Sequence, residues 1–346
     1  MTQDMSGTAR DAVSRPLALS RWLWVVATMI AGIVVIGGIT RLTESGVSIT
    51  EWKPVSGILP PLTNAAWQAE FDAYRQTPQF IQINGPAGMT LATYKAIFFW
   101  EWLHRLLARS VGMAFALPLL WFWVKKQIPS GYKLRLVFLL LLGGLQGVVG
   151  WWMVVSGISH DVKVSHLRLA THLLVALTTF AAIVWTALDL HGNARGEPKA
   201  RMSIWGALAI ATLFIQLGLG ALVAGLRAGH VANDWPLMMG RFFPDGIDWS
   251  QGAGHALFYD PYLLHFVHRW WAWIAVAVLL ILARKVRKSA RAASIAIHSA
   301  FGTQIILGIA TIMSGVTIWV AVLHQLVGAL LLGTTIWGAH QLGRRR

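Results

Sequence analysis

The chain contains no cysteine. This excludes thiolate metal ligands, iron–sulfur clusters, covalently attached c-type haem and disulfides, so any metal chemistry rests on His, Met, Tyr or carboxylates. Charge is also scarce: Asp, Glu, Lys and Arg make up 12% of the 346 residues, whereas 56% are hydrophobic. The apolar residues gather in runs of about 18 or more, long enough to cross a hydrocarbon layer. A soluble core is therefore excluded, and an all-α polytopic membrane protein is expected.

Eight segments qualify as spans, at about 22–40, 97–124, 134–155, 167–189, 203–226, 262–284, 292–314 and 317–340. Acidic residues are few, 14 against 29 Lys and Arg, and the net charge is +15. The basic residues collect at span ends: Arg10, Arg15 and Arg21; Lys125, Lys126, Lys133 and Arg135; Arg195, Lys199 and Arg201; Arg284, Lys285, Arg287, Lys288 and Arg291; and Arg344 to Arg346. Membrane topology and contact with anionic lipid of the bilayer explain that clustering, so no nucleic-acid partner is expected. The same bias places both termini in the cytoplasm and the stretches at about 41–95 and 227–261 outside. The segment before Arg21 carries Asp4 and Asp11 and no small-residue cleavage site follows it. It reads as neither a cleaved signal nor an organelle transit peptide, which points to a bacterial inner membrane.

An internal repeat divides the chain. The second span carries H-R-L-L-A from His104 and the sixth H-R-W-W-A from His268; the third reads Q-G-V-V-G-W-W-M-V-V-S-G from Gln146 and the seventh Q-I-I-L-G-I-A-T-I-M-S-G from Gln304. The fourth span gives T-H-L-L-V-A-L around His172 and the eighth L-H-Q-L-V-G-A around His324. The outer loops echo each other through Arg41, Gly46 and Glu51-Trp52 in one, and Arg227, Gly229 and Asp234-Trp235 in the other. An N-terminal tail (1–20) is thus followed by two four-span halves, 21–192 and 193–346. Four is an even number, so the halves share one orientation. The expected fold is two tandem four-helix bundles related by a pseudo-two-fold axis along the membrane normal.

His104, His172, His268 and His324 lie at matched depth in even-numbered spans, about five to eight residues in, or roughly 8–12 Å at 1.5 Å per residue. Imidazole is costly in hydrocarbon unless it faces the bundle interior and has a partner. One such histidine can simply hydrogen-bond a neighbouring helix. Four in repeat-equivalent positions point instead to axial ligands of two haems, whose flat macrocycles fill space between helices. The remaining histidines read as surface or packing residues: His166 and His298 lack repeat partners, His160, His230 and His255 lie in outer loops, and His191 and His340 are near the inner face.

Glu101 precedes His104 by three residues and shares its helix face, where the other half has His265. A carboxylate beside a ligand in a low-dielectric setting is a candidate for giving or taking protons near the haem; the plainer reading is a polar anchor that orients the ligand. Arg105 and Arg269 directly follow the paired histidines, and Arg41 and Arg227 stand at the outer ends of the first and fifth spans. Guanidinium groups suit haem propionates, which they grip bidentately, though interfacial snorkelling accounts for any one of them equally well. Most of the 19 tryptophans read as interfacial belt residues. Gly143, Gly144, Gly147 and Gly150, with Gly218 and Gly220, read as close helix packing.

At these residues the chain resembles a known family. E-W-L-H-R at 101–105, H-R at 268–269, the histidines at 172 and 324, and above all G-G-I-T-R-L-T-E-S-G-V-S-I-T-E-W-K-P-V-S-G-I-L-P-P at 37–61 are similar to haem A synthase, in the branch shared by mitochondria and alphaproteobacteria. The resemblance runs from about 20 to 340 and implies an oxidoreductase that converts the C8 methyl of haem O to a formyl group by successive hydroxylations. It also implies a resident haem b on His268 and His324, with Arg269 and Arg227 nearby. His104, His172, Arg105 and Arg41 then frame the substrate haem, and Glu101 is essential beside it. Some members carry an outer-loop cysteine pair, which this chain lacks. An unidentified electron donor is needed, and a haem O synthase in the same membrane is an expected contact. A cytochrome b-type electron carrier and a haem transporter or chaperone are the alternatives.

Overall fold

Eight helices long and apolar enough to cross a membrane appear in the computed structural model, which describes residues 14–53, 56–159 and 162–344. Arg10, Asp4, Asp11, His160, Arg345 and Arg346 lie outside the described residues. The spans are α1 (Pro16–Leu42), α3 (Leu91–Val124), α4 (Lys133–Ser159), α5 (His166–Asn193), α6 (Ile204–Gly225), α8 (Pro261–Val286), α9 (Arg291–Met313) and α10 (Ile318–Gly343), with two short helices, α2 (Asn64–Tyr74) and α7 (Ala253–Tyr259), in the long connections. Among the described residues there is no strand, only an isolated bridge between Met238 and Arg241. Helices are the expected answer, because an open sheet edge has nothing to bond with in hydrocarbon.

Start signals are local. Pro16 opens α1, where its missing N–H costs nothing; Ser203 accepts from the Gly206 N–H at the start of α6; and Asp260 accepts from the Leu263 N–H at 2.8 Å to start α8. Thr90 and Thr93 cap each other reciprocally at the start of α3. That cap sets α3 six residues earlier than hydropathy suggests, and at 34 residues it is about 50 Å long, well beyond an apolar layer of about 30 Å. Its first turns are held by the long loop instead. Tyr94 and Phe98 pack with Ile49, Phe71 and Tyr74, and the Tyr74 and Tyr94 rings stack at 5.1 Å. His104 accordingly lies more than three turns into its helix, while the other three paired histidines lie about two turns into theirs.

In the first half α1 packs on α3 and α5, and α5 on α4; in the second α6 packs on α8 and α10, and α10 on α9. The halves meet where α5 faces α6 and α10, and where α1 faces α10. Burial follows from that arrangement: the most apolar windows of α1 and α5 are 44% and 56% buried, against 11% for α3 and 6% for α4, so α1 and α5 form the middle and α3 and α4 face outward. The α1–α10 seam includes a polar contact: Gln325 donates to the Val34 carbonyl at 2.9 Å. Gly38 makes room for it, since a Cβ there would sit 2.8 Å from the Gln325 Oε1.

At the end of the bundle where α1 begins and α10 finishes, a buried carboxylate ties the halves together. Asp189 of α5 accepts from Arg135 of α4 at 2.5 Å, from His340 of α10 at 2.9 Å and from the Ala200 backbone at 3.1 Å. Arg344 pairs with Glu197 beside it. His340, expected as a surface or packing residue, is fully buried and joins the two halves. Replacing Asp189 by leucine leaves Arg135 and His340 without their shared acceptor and is expected to cost on the order of 3–5 kcal/mol. Thermal unfolding in detergent measures this; a melting temperature equal to that of the unsubstituted protein would refute it.

Candidate functional site

Each of the four paired histidines rests on a glycine of the span before it. A Cβ on Gly37 of α1 would lie 3.4 Å from the His104 ring, one on Gly150 of α4 3.0 Å from His172, one on Gly220 of α6 3.0 Å from His268, and one on Gly308 of α9 3.1 Å from His324. Contacts below about 3.4 Å force a neighbour to shift, so a side chain at Gly150, Gly220 or Gly308 would displace the ring, whereas a Cβ at Gly37 would just touch it. His104 and His172 are close enough to interact electrostatically, and so are His268 and His324. None of the four is sealed off; each ring residue keeps part of its surface open. Among the described residues no three His, Asp or Glu side chains converge as a metal-binding group.

The glycine role of Gly150 and Gly220 goes beyond close helix packing. Helical glycine ordinarily admits a neighbouring backbone, and here it admits an imidazole. The signal was present in the chain as a glutamine four residues before the glycine at Gln146, Gln216 and Gln304. Gln146 lies 3.2 Å from both ring nitrogens of His172, Gln216 lies 3.2 Å from Nδ1 of His268, and Gln304 lies 3.5 Å from Nε2 of His324.

Glu101 is buried and fully engaged. Its Oε2 accepts from the Ser48 hydroxyl at 2.7 Å and the Ile49 N–H at 2.9 Å, and its Oε1 accepts from Arg105 at 2.6 Å. In the second half Arg269 donates through Nε to His265 at 3.0 Å, so the residue at the carboxylate's place is an imidazole that accepts instead. Both arginines then reach into the loop above. Arg105 donates to the Ile49 and Glu51 carbonyls, and Arg269 to those of Ala232, Asp234 and Leu237. Each guanidinium also lies 5.7 Å from a tryptophan ring, Trp52 for Arg105 and Trp235 for Arg269. The Asp234 carboxyl is held below its usual range, chiefly by the Gly240 N–H, then by that of Met239. These arginines clasp two loops, each spending its Nη1 and Nη2 on loop carbonyls.

Arg41 and Arg227 behave differently. Arg227 pairs with Glu44. Both residues follow the ends of their helices in the left-handed backbone region, at φ 56° and 55°, so it is Glu44 rather than Arg41 that occupies the place corresponding to Arg227. Arg41 lies near Arg227, and its Nη2 is buried without a hydrogen-bond partner among the described residues. Of the four expected propionate-binding arginines, it is the one with a buried donor atom left unpartnered among the described residues.

The other histidines are placed as supports. His166 Nε2 lies 3.0 Å from the Phe258 carbonyl and its ring meets Tyr259 edge-on, which fastens the start of α5 to α7. His298 Nδ1 lies 2.7 Å from the Ser294 carbonyl one turn back in α9.

Comparison with known proteins accounts for this architecture. Residues 20–336 match the COX15-CtaA family, described as cytochrome oxidase assembly protein. A haem A synthase of Novosphingobium aromaticivorans is 66% identical over 337 residues, covering 95% of this chain and 96% of that one. Others named haem A synthase, from Erythrobacter litoralis and Sphingopyxis alaskensis, are 57% and 55% identical and cover 95% and 99% of this chain and 98% and 96% of their own. The chain therefore belongs to the haem A synthase family of cytochrome oxidase assembly proteins.

Proposed function

We propose that this protein is a haem A synthase: an oxidoreductase that converts the C8 methyl of haem O to a formyl group by successive hydroxylations. The observation that carries the reading is the seating of four imidazoles, in two interacting pairs, on four glycines. Such cradles fit haem, because a bis-histidine macrocycle needs two facing rings in fixed orientation and an otherwise apolar slot. His268 and His324 hold a resident haem b, and His104 and His172 frame the substrate. The resident group supplies one-electron transfer, fed by a donor outside the chain. The two halves are related by a pseudo-two-fold axis along the membrane normal; the paired arginine clasps and the matched glycine seats support this.

The side chains have separate tasks. Arg105 and Arg269 hold the loops down over the sites and exclude water. Arg41 offers its unused Nη2 to a propionate. Glu101 holds or releases a proton at the substrate side, on the Oε2 that meets Ser48, while Arg105, always protonated, keeps Oε1 in place. The sites lie toward the periplasmic face of a bacterial inner membrane, with both termini in the cytoplasm. Haem O reaches the first half through the lipid or from a haem O synthase.

Three readings are separated by one experiment. The protein is expressed with a source of haem O, and extracted pigments are run on reverse-phase chromatography. Hydroxylated or formyl haem is expected. Unaltered haem from folded protein would favour an electron carrier if two haems stay bound, or a transporter if they exchange. In the same assay His268→Ala or His324→Ala is expected to lose the resident haem spectrum and all conversion, whereas His104→Ala keeps the spectrum and loses conversion. Glu101→Gln is expected to keep the resident haem and lower turnover by about 100-fold or more; turnover within a few-fold of the unsubstituted rate would remove Glu101 from proton transfer.

A further inference from the structure

Three of the four imidazoles meet the same unit on the neighbouring span. The chain runs Gln146 to Gly150, Gln216 to Gly220 and Gln304 to Gly308, each glutamine one turn before the glycine on which a ring rests. Positions four apart share a helix face, so glycine clears the space and glutamine reaches the ring that fills it. The amide nitrogens of Gln146 and Gln216 also donate to the backbone carbonyls of His172 and His268, at 3.1 and 3.2 Å. All three amide oxygens are buried and have no hydrogen-bond partner among the described residues. A buried acceptor left unused is costly unless another state of the site uses it.

His104 is the exception. Four residues before Gly37 stands Ile33, which has no amide to offer. The ring also sits differently. It turns Nε2 toward Gly37, at 3.4 Å from the Cβ position, where the other three rings present Cε1 at 3.0 to 3.1 Å.

We propose that Gln146, Gln216 and Gln304 are positioning residues that hold His172, His268 and His324 as axial ligands, and that His104, left unheld by Ile33, is the exchangeable ligand of the substrate macrocycle. The inference rests on the haem reading above. An imidazole that binds iron through Nε2 carries its proton on Nδ1, and an acceptor there fixes the ring plane and makes the ring a stronger donor. For Gln146 and Gln216, whose amides already lie 3.2 Å from Nδ1, the unused Oε1 is that acceptor once the amide makes a half-turn; Gln304 lies 3.5 Å from Nε2 of His324, whose Nδ1 is buried without a partner among the described residues, so there the ring must also shift for Oε1 to reach Nδ1. The histidine carbonyls the amides leave keep their partners within their own helices. A stronger donor favours ferric iron, lowering the reduction potential and slowing loss of the haem. The substrate, by contrast, must enter and its product must leave, so one of its two ligands is left without this hold.

The test uses the full chain purified in detergent with its resident haem. Gln216→Leu is expected to raise the midpoint potential and speed haem loss to apomyoglobin by roughly 10–100-fold. Gln216→Glu, which can only accept when ionised, is expected to lower the potential; a side chain that merely filled space would not move the two variants in opposite directions. Ile33→Gln supplies the amide that this half lacks and is expected to slow the loss of added hemin from the first half by a similar factor. Potentials that shift in the same direction, or not at all, in the two Gln216 variants overturn the role of the glutamines. An unchanged hemin off-rate in Ile33→Gln overturns the assignment of His104. If the unsubstituted protein shows no bis-imidazole spectrum, or keeps it in His268→Ala, the haem reading itself fails rather than this one.

Discussion

A polar side chain inside hydrocarbon must find its partner within the protein, because water is not there to serve. That constraint shapes most of what is polar within this bundle. The imidazoles rest on glycines and three of them touch glutamines; Asp189 gathers Arg135 and His340; Gln325 reaches the Val34 carbonyl past Gly38. Each solution needs two helices at a fixed spacing. The polar groups therefore do more than satisfy themselves: they set which faces of which spans can meet.

The loops obey the same rule from the other side. Arg105 and Arg269 emerge from the helices one residue after a paired histidine and spend their donors on loop carbonyls. A loop bonded this way cannot lift without stranding a nearly buried guanidinium. In the first half Glu101 adds a second tie through Ser48 and Ile49, and the aromatic cluster around Tyr74 and Tyr94 adds a third. The first loop is thus built onto α3 as a rigid cover, which explains why α3 extends so far beyond an apolar layer.

The spans and the four histidines were legible in the chain, because hydropathy and a repeated H-R pair survive any detail of packing. The start of α3 was not: its first turns are stabilised by aromatic residues of a loop, a contact hydropathy does not register. Gly150 and Gly220 were seen and misjudged, and Gly37 and Gly308 passed over, since a glycine that admits an imidazole looks the same in sequence as one that admits a backbone. Matching Arg41 with Arg227 by residue type missed the register by one turn, because what corresponds is the left-handed residue after the helix, Glu44 in one half and Arg227 in the other. Asp189 and His340 are 151 positions apart and carry no shared motif, so only the packing of α5 on α10 reveals them.

What separates the two halves is concentrated around one ring. His268 has Gln216 on the neighbouring span and His265 one turn back; His104 has Ile33 and Glu101 in those places. One change lies on the neighbouring span and the other on the same helix as His104. One removes the amide that steadies it, and the other sets beside it a carboxylate already committed to Arg105 and to the loop. A ring with weaker support is easier to displace, and the carboxylate is tied to the cover through Ser48 and Ile49. A pair of sites that both kept their macrocycles permanently would need neither difference. The departure from symmetry at positions 33 and 101 is what a bundle requires if one of its halves retains its cofactor and the other takes in a substrate and lets a product go.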